Sequence, residues 1–287
     1  MKFSERIKLI ECPRDAMQGI DYFISTDDKI KYLNLLLKVG FDTLDFGSFV
    51  SPKAVPQMAD TVKVLDSLDM SSTSTKLLAI VANSRGVDEA VKHSSITYLG
   101  YPFSVSETFQ KRNTNSDINS SLTTVDELLG SCDKHNKTAL IYLSMAFGNP
   151  YGDKWNEEVV SHWADQLVKR GASVIALSDT IGVSNPKTIT NLYKQLSSNF
   201  PTTEFGIHLH STPEGWREKI DAAYQNGCRR FDSALKGYGG CPMASDILTG
   251  NIATENLIEY LNEKNEELNL NMPSFNKAME FSTLIFL

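Results

Sequence analysis

Eight short apolar, β-branched runs alternate with amphipathic stretches along the chain, and nothing else in the sequence constrains the fold as tightly. The runs fall at 8–11, 43–46, 77–81, 96–99, 139–143, 174–177, 205–208 and 230–233. Strands separated by helical stretches are βα units, whose strands lie parallel. Eight is the number that closes a barrel. Helices are expected at 26–39, 124–135, 157–169, 187–198 and 214–226. Gly40, Gly171 and Gly227 follow helical patterns, as residues just past a helix end do. Thr26 precedes a helix with two acidic residues in its first turn. The pattern predicts an α/β fold, a (β/α)8 TIM barrel forming a single domain over 1–287, with 263–287 as a C-terminal cap or interface helix. The polar segment 104–121 reads as a long βα loop or an exposed helix. A doubly wound open sheet is the rival architecture, but the G-x-G-x-x-G turn expected after its first strand is missing. The units recur without a repeated motif, which argues against a solenoid.

The length of 287 residues suits one such barrel, typically about 250 residues. A net charge of −7 gives no footprint for nucleic acid or a polybasic membrane contact. An anionic ligand would therefore need a local positive centre. The four cysteines, Cys12, Cys132, Cys228 and Cys241, form no CxxC pair, which suggests free thiols in a reducing compartment. The opening segment MKFSERIKLIEC has no apolar core, and no run approaches about 18 apolar residues. A soluble, cytoplasmic protein is expected.

In a barrel, chemistry collects just after each strand. Those positions hold Arg14 and Asp15 after the first strand, Asp45 at the end of the second and Asp179 after the sixth. His208 and His210 close the seventh. A glycine-rich loop containing Cys241 follows the eighth, with Asn251 beyond it. Residues two apart on a strand share a face, so both imidazoles can reach one ion. With a carboxylate added, the donor set suits Mg²⁺, Mn²⁺ or a related divalent cation better than a closed zinc site. The plainer readings are two hydrogen-bonded histidines, a surface ion pair or helix cap at Arg14 and Asp15, and a small buried thiol at Cys241. Asp179 can orient a ligand or cap the next helix. Cys12, Cys132 and Cys228 read as structural, and His93, His135 and His162 as surface or capping residues.

The segments CPRDAMQ, GSFVSPKAVPQMADT, SVSETF, SDTIGVSNP, HLH, GYGGCP and TGNIATENL run in order from about residue 7 to residue 260. Together they resemble the 3-hydroxy-3-methylglutaryl-CoA lyases. RDxxQ and HxH are shared with related Claisen-type barrels, whereas SFVSPK-VPQ and GGCP are particular to the lyase. The resemblance implies retro-Claisen cleavage of 3-hydroxy-3-methylglutaryl-CoA to acetyl-CoA and acetoacetate. It implies Asp15, His208, His210 and Asn251 as ligands of a divalent cation, Mg²⁺ or Mn²⁺. His208 or Asp15 would be the base, Arg14 would stabilise the enolate, Cys241 would donate the proton, and Asp45 would hold the family's acidic position. Gln18, Tyr142 and Asp179 would line the pocket for the acyl-CoA substrate. The family's usual setting is leucine breakdown, and its barrels often pair as homodimers.

Departures surround the pocket. The family carries glutamate where Asp45 stands, aspartate at Ser211, glycine at Ala16 and an arginine near Leu140. The loop STPEGWREK also differs. They open the reading to a related 3-hydroxyacyl-CoA. A Claisen-type citramalate or isopropylmalate synthase would carry a long C-terminal regulatory region and lack the GGCP loop. A non-catalytic, ligand-binding regulatory barrel would have no need of the intact set Arg14, Asp15, His208, His210, Cys241 and Asn251.

Overall fold

The computed structural model describes residues 6–240 and 249–286. Eight parallel strands form the barrel: β1 (Lys8–Glu11), β2 (Thr43–Ser48), β3 (Lys76–Ile80), β4 (Ile96–Ser104), β5 (Thr138–Ser144), β6 (Val174–Asp179), β7 (Glu204–Ser211) and β8 (Arg230–Ser233). Each pairs with its sequence neighbours, and β1–β8 pairing closes the circle. A two-residue strand, β9 (Gly250–Asn251), adds antiparallel to the end of β7, with His210 opposite Asn251.

The helices α1 (Pro13–Gln18), α2 (Thr26–Leu37), α3 (Thr61–Leu65), α4 (Ser84–Ala90), α5 (Glu107–Thr114), α6 (Ile118–Lys134), α7 (Glu157–Lys169), α8 (Pro186–Asn199), α9 (Trp216–Gln225), α10 (Thr254–Glu263) and α11 (Met272–Ile285) surround the strands. Side-chain oxygens start many of them. Ser25, Asn83, Ser106, Asp117, Asn156 and Asn185 each accept a backbone N–H from the first turn of the helix they precede. Gly40, Gly171 and Gly227 take positive φ just past helix ends, as expected.

Both faces of the strands are apolar, so two cores form. Outward residues such as Leu99, Tyr101, Ile141 and Leu177 pack beneath the helices. Inward residues Ile10, Cys12, Leu78, Ile80, Tyr98, Leu140, Tyr142, Val174 and Ala176 fill the barrel. Charged side chains share that interior, Arg230 and Asp232 from β8 and Asp45 from β2 among them. The Arg230 side chain is fully buried and lies over the Tyr98 ring. Gly206 makes room for it, because a Cβ there would stand 2.9 Å from Arg230 Cδ.

The structure extends β6 and β7 past their apolar patterns into polar residues at the barrel mouth, and carries β4 on through Tyr101 and Phe103, which pack beneath the helices. Segment 104–121 is mostly helical. Asp117 caps α6 seven residues before the predicted helix start, and Ile118, Ser121, Leu122 and Val125 give it a buried stripe. The cap of α2 is Ser25, with Thr26 as the first helical residue. Helix α11 packs across α2. Beyond it, Phe286 stacks on Tyr238 at 4.6 Å between centroids, and Tyr22 Oη donates to the Ile285 carbonyl. Among the described residues, no helix is long and apolar enough to cross a membrane.

Candidate active site at the barrel mouth

The short helix α1 begins at Pro13, immediately after β1, with Cys12 as its N-cap residue. Proline fits the first helical position, where no N–H is needed. The turn carries Arg14 and Asp15 into the mouth, where both are buried. Across the barrel, His208 and His210 stand on one face of β7 with ring centroids 5.1 Å apart. One donor atom each from Asp15, His208 and His210 lie within 4.8 Å of one another.

Both rings are held from behind. His208 Nδ1 meets Asp232 Oδ2 at 3.2 Å, and His210 Nδ1 meets the Thr180 carbonyl at 3.2 Å. A carbonyl only accepts, so the His210 proton sits on Nδ1 and the Nε2 lone pair is free. That Nε2 is buried with no partner among the described residues. Leaving a buried polar atom unpaired is costly, and two nitrogens beside a carboxylate suit a divalent cation. Asn251 donates Nδ2 to Asp15 Oδ2 at 2.7 Å and to the Tyr238 carbonyl, leaving its amide oxygen as the atom it can offer an ion.

The charge states of Asp15 and His210 agree with that use. Burial opposes ionisation of Asp15, but Arg14, His208, His210 and Asn251 together hold its carboxyl below the usual range. Burial, with the neighbouring His208, pushes His210 down to about 4, keeping it neutral as a ligand must be. Burial also works against a charged His208, but Asp232 outweighs it and raises that ring.

Arg14 is gripped on two sides. Nε and Nη2 donate to Asp45, with Nη2 to Oδ2 at 2.6 Å, while Nη1 donates to Asp15 and to Gln18 Oε1. Four of the five N–H groups of a guanidinium are thus spent within the protein, leaving one on Nη2 for an incoming oxygen. A register shift of β2 against β3 between Asp45 and Gly47 sets the position of Asp45. Burial pushes the Asp45 carboxyl up despite Arg14. Gln18 Nε2 returns a hydrogen bond to Asp15. Tyr142 lies edge-on to His208, its buried hydroxyl unpartnered.

Asp179 sits behind the mouth, its carboxylate receiving the backbone N–H groups of Val183 and Ser184, the Ser184 hydroxyl and the Lys219 ammonium. Lys219 also donates to the carbonyls of Gly182 (3.0 Å) and His210 (2.8 Å). The loop after β8 covers Asp15 and Asn251: a Cβ on Gly239 would lie 2.8 Å from the Asp15 carbonyl and 2.9 Å from Asn251 Nδ2. Cys241 follows Gly240 and lies outside the described residues.

Sequence reasoning missed Asp232, Thr180 and Lys219. Asp232 left a signal, being an acid inside a predicted strand. A carbonyl such as that of Thr180 leaves none, and neither does a lysine in mid-helix.

Comparison with known proteins agrees with this geometry. The HMGL-like family profile matches residues 6–282. A hydroxymethylglutaryl-CoA lyase of Bacillus subtilis (strain 168) is 30% identical, the match covering 98% of this chain and 93% of that protein. A Pseudomonas aeruginosa protein described as a 3-hydroxy-3-isohexenylglutaryl-CoA/hydroxy-methylglutaryl-CoA lyase is 32% identical over 91% of this chain and 87% of its own length. The structure of an HMG-CoA lyase from Acinetobacter baumannii, in complex with coenzyme A and 3-methylmalate, superposes with a TM-score of 0.90 at 27% identity, covering 100% of this chain and 93% of that one. With the same barrel and a match along nearly all of its length, the chain belongs to the HMGL-like family of lyases.

Proposed function

We propose that the protein cleaves 3-hydroxy-3-methylglutaryl-CoA to acetyl-CoA and acetoacetate, with Asp15, His208, His210 and Asn251 holding a divalent cation. The observation that carries the reading is the meeting of three ligand atoms with an unpartnered Nε2, beside a guanidinium with one N–H to spare. Bound Mg²⁺ or Mn²⁺ supplies Lewis acidity that lowers the pKa of the substrate's tertiary hydroxyl and fixes its orientation. His208 or Asp15 accepts the hydroxyl proton, and the carbon–carbon bond breaks as the ketone forms. Arg14 meets the thioester enolate oxygen with its remaining Nη2 proton, in a setting stiffened by Asp45 and Gln18. The Cys241 thiol then protonates the enolate carbon. Tyr142 borders the pocket, and Asp179 braces it through Lys219. The full reading is a cytoplasmic enzyme of leucine breakdown that works as a homodimer.

Incubation with 3-hydroxy-3-methylglutaryl-CoA and Mg²⁺ is expected to release acetoacetate. Excess chelator abolishes the reaction, and added Mg²⁺ or Mn²⁺ restores it; full turnover in chelator would sink the cation's role. Cys241→Ser is expected to lower kcat about 100-fold or more while substrate still binds. Changes at Asp45, Leu140 and Ser211 support a second reading, a lyase for a related 3-hydroxyacyl-CoA. Cleavage of only such a compound would favour it.

A further inference from the structure

His208 belongs to two groups of potential ligands. The second consists of Cys12, His208 and Asp232, whose donor atoms also lie within 4.8 Å of one another. The proposed reaction uses neither Cys12 nor Asp232 directly. Cys12 is 1% exposed, and among the described residues its thiol makes one long contact, 3.7 Å to the Ile10 carbonyl. Asp232 is 3% exposed; Oδ2 meets His208 Nδ1, but Oδ1 has no partner among the described residues. Ile10, two residues before Cys12, is in register with Asp232 on β8, and the Cys12 N–H bonds the Ser233 carbonyl, so the backbone sets Cys12 beside Asp232.

The two groups differ in ligand chemistry. Asp15, His208 and His210 offer one oxygen and two nitrogens. Cys12, His208 and Asp232 offer one sulfur, one nitrogen and one oxygen. Thiolate selects zinc-like, thiophilic ions and discriminates against Mg²⁺ and Mn²⁺. Burial and the carboxylates of Asp232, Asp45, Asp15 and Glu11 push the Cys12 thiol well above its usual range, so it stays protonated until a cation is there to hold the thiolate.

We propose that Cys12, Asp232 and His208 form a second cation site, selective for a thiophilic divalent ion such as Zn²⁺ or Cd²⁺, that competes with the catalytic cation for His208. On binding, the Cys12 S–H bond breaks, its proton leaves to solvent, and a metal–sulfur bond forms. Asp232 gives up its hydrogen bond to Nδ1 and binds the ion. His208 binds through Nδ1, and the ring proton moves to Nε2. The ring then has no lone pair for the catalytic cation, so the two ions exclude one another. The competition rests on the lyase reading; the binding itself does not.

The test is a Cd²⁺ titration of metal-free Cys241→Ser protein, followed by the ultraviolet thiolate-to-cadmium charge-transfer band. The band is expected to saturate at one ion per chain with release of one thiol proton, and to vanish in the Cys12→Ser/Cys241→Ser protein. A band that persists in the double variant, or never forms in the single one, overturns the site. X-ray absorption of the Cd²⁺-loaded Cys241→Ser protein needs no Cys12 variant to fold. One sulfur among nitrogen and oxygen neighbours is expected, and a shell without sulfur rejects the proposal. These spectra are indifferent to the lyase reading, which stands or falls on the acetoacetate assay.

Discussion

The Lys219 ammonium is buried against Asp179, and the same nitrogen donates to the His210 carbonyl. The lysine therefore connects a buried carboxylate at the end of β6 with the backbone of His210, a proposed ligand on β7. Lys219→Met leaves the Asp179 charge uncompensated, and a loss of about 3–5 kcal/mol in unfolding free energy is expected from urea melts. Lys219→Met/Asp179→Asn removes both charges and should recover most of that stability. Mn²⁺ affinity, measured by electron paramagnetic resonance, should nevertheless stay about tenfold or more below that of the parent, because the His210 backbone has lost its anchor. Parent-like Mn²⁺ binding in the folded double variant would make Lys219 a purely structural residue. This node could not be read from the sequence. His208 and His210 announce themselves by their spacing on a strand, whereas a lysine in mid-helix says nothing about which carboxylate faces it.

At the level of elements, the strands were legible because their β-branched centres are apolar on both faces. The same property hid which residues face inward. Their ends were less legible: the last residues of β6 and β7 are polar because they face the mouth, so an apolar pattern stops short of them. The loop after β8 illustrates a further limit. Its glycines mark it as irregular, yet only the structure reveals how closely Gly239 approaches Asp15 and Asn251. Gly239 has φ +87 and Gly152 has φ +74, but nothing lies within 4 Å of a Cβ placed on Gly152. Gly152→Ala should therefore cost only the left-handed backbone penalty, about 1–2 kcal/mol, with Mn²⁺ binding unchanged. Gly239→Ala should cost at least as much and also weaken Mn²⁺ binding, because the loop must lift from two proposed ligands, Asp15 and Asn251. Equal Mn²⁺ affinities in the two variants would separate the loop from the ion site.

Across the whole molecule, the polar groups inside the barrel wall tie stability to pH. Glu11 is fully buried at the end of β1, where the Leu235 N–H and the Thr254 hydroxyl donate to it. Burial outweighs both contacts and pushes its carboxyl from 4.5 up to about 8. Below about pH 4.5 folded and unfolded chains both hold this proton, and its contribution to stability is complete. Between 4.5 and about 8 only the folded chain keeps it, so stability falls as pH rises, by up to about 1.4 kcal/mol per unit. Above that range the loss is complete. Glu11→Gln removes this slope, and urea midpoints of the two proteins should diverge in favour of the variant as pH rises. Parallel profiles would mean that Glu11 titrates alike in both states. The whole-chain architecture was otherwise the most legible level of all, since eight strand patterns and their spacing leave little besides a closed barrel. Its closure has a consequence for descent. His210 and Asn251 face each other across the short β7–β9 ladder, so two residues far apart in sequence are tied by backbone pairing into one unit. Substitutions at either are therefore expected to be kept or lost together as the family diverges.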